Sequence, residues 1–466
     1  MSKQHLHIRN ARLIDPHNGV DDLLDLFIAE GRIAAIGEPP AGFSPARSIN
    51  ALGLIACPGL VDLSARLGGI EAELGAAVAG GVTSLACPPD TKPPLDEPGL
   101  VERLVRRSEA TGLARVYPIG ALTEDLAGLR LAEMNGLARA GCIAFSQAKQ
   151  AIVDTQSLLR AMQYAATFGY AVHLRPQDDS LAREGVAHDG EVAARLGLTG
   201  IPVSAETVAI ATALQLAAET GVRLHLARLS SAAGVDLIRA ARRSGVPVSC
   251  DVAIHHLHLS EQDIGYFDSN SRFDPPLRSA RDREALRAAI TEGLAAICSD
   301  HTPVDADGKQ LPFAEALPGA TALELLLPLT LQLAAEENTH AARNDLRWEL
   351  QANAPGTAGL DPDWDLVGGG PNAWHEGRLP LAMALARVTC DPAAILGIEA
   401  GSLSVGSAAD ICLFDPDEVW RATPDALRSQ GKNTPFVGCE VRGRVRMTLV
   451  GGRVVFEARA GAGRAA

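Results

Sequence analysis

The chain has 466 residues and a formal net charge of −14, and 47% of its residues are hydrophobic, enough to bury a sizeable core. The acidic balance and the lack of a basic block argue against nucleic acid as a partner. No apolar run approaches the roughly 20 residues that span a bilayer, and no signal-peptide pattern opens the chain. None of the eight cysteines forms a Cys-x-x-Cys pair. We therefore predict buried, reduced thiols and a cytoplasmic protein with no membrane partner.

Both ends of the chain carry β patterns. Residues 22–37 predict two strands joined by a Glu-Gly turn, and residues 445–457 predict a hairpin with a Gly-Gly turn. We therefore expect a small composite β-sandwich domain built from residues 1–57 and 401–460.

Between these ends, short apolar runs alternate with helical stretches rich in Ala, Leu and Arg, several of which end in Gly. The apolar runs number eight if the strand expected before Pro58 is counted. Repeated β-α units of this number are typical of an α/β fold, the parallel (β/α)8 TIM barrel. We predict that the barrel spans residues 58–400. A stretch rich in Gly, Pro, Asn and Asp at 337–380 predicts a surface excursion from it.

In such a barrel the chemistry lies at the carboxyl ends of the strands. Several specific segments stand there: CPGLVDLSARL (57–67), FDPPLRSARDREAL (273–286), CSDHTPVDADGK (298–309) and GKNTPFVG (431–438). Taken together, they resemble the dihydroorotases of the amidohydrolase superfamily, and the resemblance extends over about residues 5–457.

The resemblance implies an enzyme that closes carbamoyl aspartate reversibly to dihydroorotate with the help of zinc. In the family the metal is held by a His-x-His after the first strand, a mid-barrel carboxylate, two further histidines and an Asp after the last strand. The metal polarises the amide carbonyl and generates hydroxide at neutral pH. The final Asp handles the proton.

At the matching positions of this chain most metal ligands are replaced. The degenerate positions carry Ser64, Arg66, Gln147 with Ala148, Arg175 and Arg228. An Arg is permanently charged and cannot ligate a divalent cation. Only the last ligand, Asp300, is retained, as a vestige. We therefore expect no catalytic residue, no zinc and no other cofactor, and we interpret the chain as a pseudoenzyme.

The substrate positions implied by the resemblance have changed as well. They carry Gly68, Asp90, Asp274 and Val304. The two new carboxylates are expected to repel an anionic substrate. Ligand and substrate positions thus differ together from those of an active dihydroorotase.

The remaining polar residues near these positions have structural interpretations. We interpret His173, His255 and His256 as core histidines, and Lys149 as one or two places out of register with a family lysine that binds metal when carbamylated. Asp300 would be buried without a metal, and a buried unpaired carboxylate is costly. We therefore expect at least one of the substituting arginines to pair directly with Asp300.

The leading functional hypothesis follows from a preserved scaffold with a dismantled site. Non-catalytic members of the family are known as partners of aspartate transcarbamoylase. The resemblance therefore implies a structural or assembly subunit for the catalytic chain of that enzyme in pyrimidine biosynthesis, within a homo- or hetero-oligomer.

Two alternatives remain open. One is an active cyclic-amide hydrolase with a non-standard metal centre. The other is a small-anion-binding regulatory protein in which Arg66, Arg175 and Arg228 grip a carboxylate or phosphate.

Overall fold

The computed structural model describes residues 5–338 and 379–458. The excursion predicted at 337–380 therefore lies almost entirely outside the described residues. Within them, no helix combines the length and the apolar character needed to cross a lipid bilayer.

The strands fall into two large sheets and one short ribbon. The N-terminal strands are Leu6–Asp15 (β1), Val20–Ala29 (β2), Arg32–Ile36 (β3), Arg47–Asn50 (β4) and Ile55–Pro58 (β5). The next are Leu60–Asp62 (β6), Val82–Cys87 (β7), Arg115–Ala121 (β8), Ala144–Ser146 (β9) and Ala171–Leu174 (β10). Then follow Ala187–His188 (β11), Gly200–Ile201 (β12), Arg223–Leu226 (β13), Val248–Ala253 (β14) and Ala296–Cys298 (β15). The last are Ile411–Arg421 (β16), Glu440–Val450 (β17) and Arg453–Glu457 (β18).

Helices alternate with the central strands. They are Ile70–Ala79 (α1), Pro98–Thr111 (α2), Met134–Ala140 (α3), Thr155–Phe168 (α4), Asp179–Ala182 (α5), Glu191–Leu196 (α6) and Val203–Thr220 (α7). Further along are Ala232–Arg243 (α8), Ala280–Thr291 (α9), Ala306–Gln310 (α10), 326–338 (α11), Leu381–Ala386 (α12) and Cys390–Leu396 (α13). Three of the helical stretches that end in Gly in the sequence are α2, α4 and α7, and their glycines, Gly112, Gly169 and Gly221, have the left-handed conformation that ends a helix.

Eight parallel strands form the barrel, in the order β6-β7-β8-β9-β10-β13-β14-β15. The two outer strands, β6 and β15, are joined just beyond their ends by a parallel bridge between Ala65 and His301. The fold class predicted from the eight apolar runs is thus confirmed. The largest apolar core joins strands of the barrel to the surrounding helices, and a separate, smaller cluster joins other strand residues, such as Val61, Ala144 and Ala296, to α13.

Strands from the two chain ends form the second large sheet, in the order β18-β17-β16-β5-β1-β2-β3, with β4 pairing to β1. The two predicted hairpins are present as β2–β3 and β17–β18. Hydrogen bonds join these strands into one continuous path, and their apolar residues share a core of their own.

One strand assignment was wrong. The strand that ends at Pro58 belongs to the composite sheet, where it pairs with β1 and β16, and the first barrel strand is the following β6. Gly59 makes the transition possible, because a Cβ atom there would lie 2.2 Å from the side chain of Thr83. The chain therefore passes from one sheet to the other within a single residue.

The cysteines are free in the described residues, as predicted. Six of them are buried. Cys390 is partly exposed and Cys439 is exposed, so the expectation of burial fails at these two positions.

Candidate functional site

The barrel topology brings the sequence-predicted positions to one end of the molecule. Ser64 and Arg66 follow β6, Gln147 follows β9, Arg175 follows β10 and Arg228 follows β13. Asp300 follows β15, which closes against the segment after β6. The carboxyl ends of parallel strands meet at one face of a barrel, so these side chains share one site.

Asp300 is the centre of this site. Its Oδ1 atom lies 3.2 Å from Nη1 of Arg228 and 3.3 Å from Nη1 of Arg66, and the hydroxyl of Ser64 lies 3.5 Å away. The side chain of Asp300 is only 9% exposed and that of Arg228 only 5%. The expectation that an arginine pairs directly with Asp300 is confirmed, and two of the three do so.

The charges of the pair stabilise each other. Burial by itself would raise the pKa of Asp300, but the positive charges of Arg228 and Arg66 outweigh it and hold the pKa below its ordinary value. Burial would likewise lower the pKa of Arg228, but the Asp300 and Asp251 carboxylates outweigh it and raise that pKa. Both partners are therefore ionised in the interior.

Arg66 has a second carboxylate partner. Its Nε donates to Oδ2 of Asp90 at 2.9 Å, and its Nη1 donates to the hydroxyl of Thr302 at 3.0 Å. Burial would raise the pKa of Asp90, but the Arg66 guanidinium reverses the effect and lowers it. The carboxylate at this substrate position is thus neutralised by the arginine at a metal-ligand position.

Arg175 forms the matching pair on the other side of the site. Its Nη1 donates to Oδ1 of Asp274 and to Oε1 of Gln177, each at 2.8 Å, and its Nη2 donates to the carbonyl of Lys149 at 2.8 Å. Arg175 therefore balances Asp274 and not Asp300. Asp274 also has a pKa below its ordinary value, because Arg175 and Lys149 outweigh its burial.

The expectation about Asp90 and Asp274 needs a correction. The sequence alone predicts that both carboxylates repel an anionic substrate. Each is instead the ion-pair partner of an arginine at a lost ligand position. Three arginines and three aspartates thus form what we call the charge network: Arg66, Arg175, Arg228, Asp90, Asp274 and Asp300.

The mid-barrel positions carry no charged ligand. The Gln147 amide donates to the hydroxyl of Thr123 at 2.7 Å, and Ala148 packs against Ala121 and Leu126. The neighbouring Lys149 extends towards the network, where burial, together with the charge of Arg66, lowers its pKa to about 8.

Gly68 and Val304 lie at the edge of the site. Gly68 is exposed, while Val304 is buried and donates its backbone N–H to Oδ1 of Asn433 at 2.9 Å. The Asn433 side-chain amide also donates to the carbonyls of Thr302 and Gly319. Asn433 of the GKNTPFVG segment therefore connects the loops after β15 through hydrogen bonds. The sequence motif alone did not indicate this role.

His173, His255 and His256 are buried, as expected of core histidines. His173 is buried against His225, with ring centroids 4.6 Å apart, and burial lowers its pKa well below the ordinary value. Burial also lowers the pKa of His255 to about 3 and that of His256 to about 4, so both are neutral. His301 donates from Nε2 to the buried Glu73 at 2.9 Å and accepts at Nδ1 from a backbone N–H.

The buried carboxylate of Asp62 is stabilised by hydrogen bonds that the sequence analysis did not predict. It accepts hydrogen bonds from the backbone N–H and the hydroxyl of Ser299, with no arginine involved. Burial raises its pKa to about 7 in spite of these donors. The two residues that follow β15 thus have different partners, since Ser299 binds Asp62 while Asp300 binds the arginines.

The residues at the family's ligand positions do not fit a zinc ion. Guanidinium groups occupy three of them, and a guanidinium offers no lone pair to a metal. Within residues 5–338 and 379–458, no three His, Cys, Asp or Glu side chains are grouped so that they could hold a metal ion. A catalytic zinc ion normally has at least three such protein ligands, with a water in the remaining position.

The pair of Arg228 and Asp300 gives a prediction about stability. Replacing Arg228 with Ala should lower the free energy of unfolding by about 3–5 kcal/mol, since it leaves a buried carboxylate with only part of its compensation. Denaturant unfolding followed by circular dichroism measures the change. Arg106→Ala is the control, because Arg106 is 78% exposed and its pair with Glu102 should contribute less than about 1 kcal/mol. Equal effects of the two substitutions would contradict the assignment.

The lowered pKa of Asp300 gives a prediction about pH. A depressed carboxyl pKa stabilises the fold above the ordinary value of about 3.9, and this contribution is lost as the pH falls through the lowered pKa. Asp300→Asn should therefore be less stable than the parent chain at pH 6–7, and the gap should close as the pH falls below about 4. Unfolding free energies measured from pH 7 to pH 3 give the gap. The exposed Asp236→Asn should show a small, constant difference. A gap that widens towards low pH would refute the assignment.

Comparisons with known proteins identify the family. The model of the dihydro-orotase-like family matches residues 53–233, and that of the amidohydrolase family matches residues 191–455. A dihydroorotase-like protein of Pseudomonas aeruginosa is 42% identical over 97% of this chain and 99% of its own length. A dihydroorotase of Geobacter sp. strain M21 is 34% identical, with 97% and 99% covered. The L-hydantoinase of Arthrobacter aurescens has the same fold, with a TM-score of 0.79 at 24% identity and with 97% and 96% covered. The chain therefore belongs to the dihydroorotase-like family of the amidohydrolases.

Proposed function

We propose that this chain is a non-catalytic dihydroorotase-like protein of pyrimidine biosynthesis that acts as a structural or assembly subunit for aspartate transcarbamoylase. The observation that carries the proposal is the charge network. It occupies the positions where an active relative would need metal ligands and substrate contacts, and its three positive and three negative groups are already paired with each other.

The first argument concerns the metal. Hydrolysis of a cyclic amide in this family needs a Lewis acid to polarise the carbonyl and a metal-bound hydroxide to attack it. A divalent cation brought near Asp300 would meet the guanidiniums of Arg66 and Arg228, 3.3 Å and 3.2 Å from that carboxylate. Binding the metal would require both buried ion pairs to break, at a cost of several kcal/mol each.

The second argument concerns the substrate. The position of the family's carboxylate-binding arginine is Gly68, which has no side chain to offer. Arg66 and Arg175 cannot replace it, because Asp90 and Asp274 already hold them at 2.9 Å and 2.8 Å. An anionic substrate would therefore have to compete with a half-buried carboxylate for each arginine.

The third argument concerns the scaffold. Around the altered site the barrel is closed, the composite sheet is continuous, and Asn433 fastens the loops over the strand ends. A protein with an intact shape and no working catalytic group still offers surfaces to other chains. Such a scaffold can still bind and stabilise another enzyme of the same biosynthetic pathway.

The metal gives one test. Protein purified without added metal should contain well under one equivalent of zinc per chain, because a single carboxylate holds Zn²⁺ poorly. Elemental analysis before and after dialysis against a chelator measures the content. One or two metal ions per chain that survive the chelator, together with hydrolysis of dihydroorotate, would establish the alternative of an active hydrolase.

The partner gives the second test. Aspartate transcarbamoylase from the same organism should be expressed with and without this chain. We expect a stable complex in gel filtration, and a loss of transferase activity or thermal stability when the chain is omitted. Addition of the separately purified chain should restore what was lost. A transferase that assembles and works equally well alone would refute the proposal.

A further inference from the structure

Two loops at the carboxyl end of the barrel expose apolar side chains. The loop after β14 carries Tyr266 and Phe267, and the loop after β15 carries Leu311 and Leu317. Tyr266 is 91% exposed, more than any other large apolar side chain that the structure describes. We call these four residues the apolar patch. None of them stands at a ligand or substrate position of the family.

The two loops are fixed against each other. Oγ of Ser269 donates to the carbonyl of Lys309, and Nζ of Lys309 donates to the carbonyl of Ser269 at 2.9 Å. Ile264 and Phe313 belong to one buried apolar cluster, and Asn433 holds both ends of the loop after β15. The patch is therefore carried by ordered backbone, which lowers the entropy that binding a partner would cost.

The backbone holds Tyr266 and Phe267 at the surface. Their rings contact each other edge to face, with centroids 5.4 Å apart. Phe267 has a φ of +62°, a left-handed conformation that bulky residues rarely adopt. Tyrosine is one of the residue types that are enriched at the energetic centres of protein interfaces. A tyrosine held in water beside a strained neighbour is therefore the expected centre of a docking face.

The same two loops carry five exposed carboxylates, which we call the acidic rim: Asp263, Asp268, Asp305, Asp307 and Glu315. None of them forms an ion pair among the described residues. Residues 261–271 and 303–318 contain a single Lys or Arg, the buried Lys309. The surface around the apolar patch is therefore negative, and no cation of the two loops neutralises it.

The sign of the acidic rim decides which partner fits. A second copy of this chain that docked through the same patch about a twofold axis would bring the rim against itself, and like charges across an interface are unfavourable. A protein surface that places lysines or arginines around an apolar pocket would complement both the patch and the rim.

We propose that the apolar patch and the acidic rim are the face on which the transferase docks, through a surface with Lys or Arg side chains around an apolar pocket. Tyr266 enters the pocket, and the carboxylates of the rim speed the encounter and set its orientation. The identity of the partner rests on the proposed function, whereas the location and the charge of the face rest on these two loops.

The complex with co-expressed transferase tests the apolar part of the face. Tyr266→Ala/Leu317→Ala should raise the dissociation constant at least about tenfold, because it removes the side chain that fills the partner's pocket. Leu52→Ala/Val405→Ala is the matched control, since these side chains are 75% and 64% exposed in the composite β domain, and it should bind as the parent does. Circular dichroism checks that both variants are folded.

Salt tests the acidic rim. Binding kinetics on immobilised transferase should be measured at about 50 mM and about 500 mM sodium chloride. The parent should associate more slowly at the higher concentration, and Asp305→Asn/Asp307→Asn should associate slowly at both. Glu38→Gln/Glu399→Gln removes the same charge from exposed positions outside the two loops and should keep the salt dependence of the parent.

The outcomes separate this face from the proposed function. No complex with the parent chain would overturn both. A complex that the folded patch and rim variants leave unchanged would overturn the docking face alone. A parent chain that dimerises by itself in light scattering, and loses the dimer on substitution of Tyr266 and Leu317, would assign the face to a second copy and would also overturn the proposal.

Discussion

The buried carboxylate of Asp300 is the constraint on which the site depends. It follows β15 at the seam where the barrel closes, and the backbone there is fixed by hydrogen bonds between His301 and the segment of Ser64 and Arg66. The carboxylate cannot move to solvent without opening the seam. A positive charge must therefore be supplied inside the barrel. Metal supplies it in an active dihydroorotase, and two guanidiniums supply it here.

The charged residues at the other substituted positions follow from this use of guanidiniums as the counter-charge of Asp300. Arg66 reaches Asp300 with Nη1, and its Nε meets a carboxylate because position 90 is Asp. Arg175, which brings a further charge to the site, meets Asp274 in the same way. The residues at the ligand and substrate positions thus form matched pairs, and the interior remains close to neutral. The joint change of ligand and substrate positions that the sequence shows thus corresponds to one set of ion pairs.

The sequence predicted the parts of the structure that depend on local pattern. The hairpins and the helix ends at Gly112, Gly169 and Gly221 follow from backbone preferences, and the barrel follows from the repeat of apolar runs. The pairing of Arg175 with Asp274 could not be predicted, because it depends on which strand ends face each other. The assignment around Pro58 failed because β5 and β6 are separated by Gly59 alone, and a single apolar run can belong to two sheets.

Replacement of a metal by ion pairs changes what the fold depends on. A protein whose barrel is completed by zinc becomes more stable as the free metal concentration rises, since the metal stabilises only the state that binds it. In this chain the counter-charges of Asp90, Asp274 and Asp300 are side chains of the barrel itself, Arg66, Arg175 and Arg228. Its stability then varies with pH, through the lowered pKa values of Asp90, Asp274 and Asp300. For a subunit whose proposed task is to hold another enzyme in its working form, constancy of shape under changing metal supply is an advantage that a catalytic zinc site would not provide.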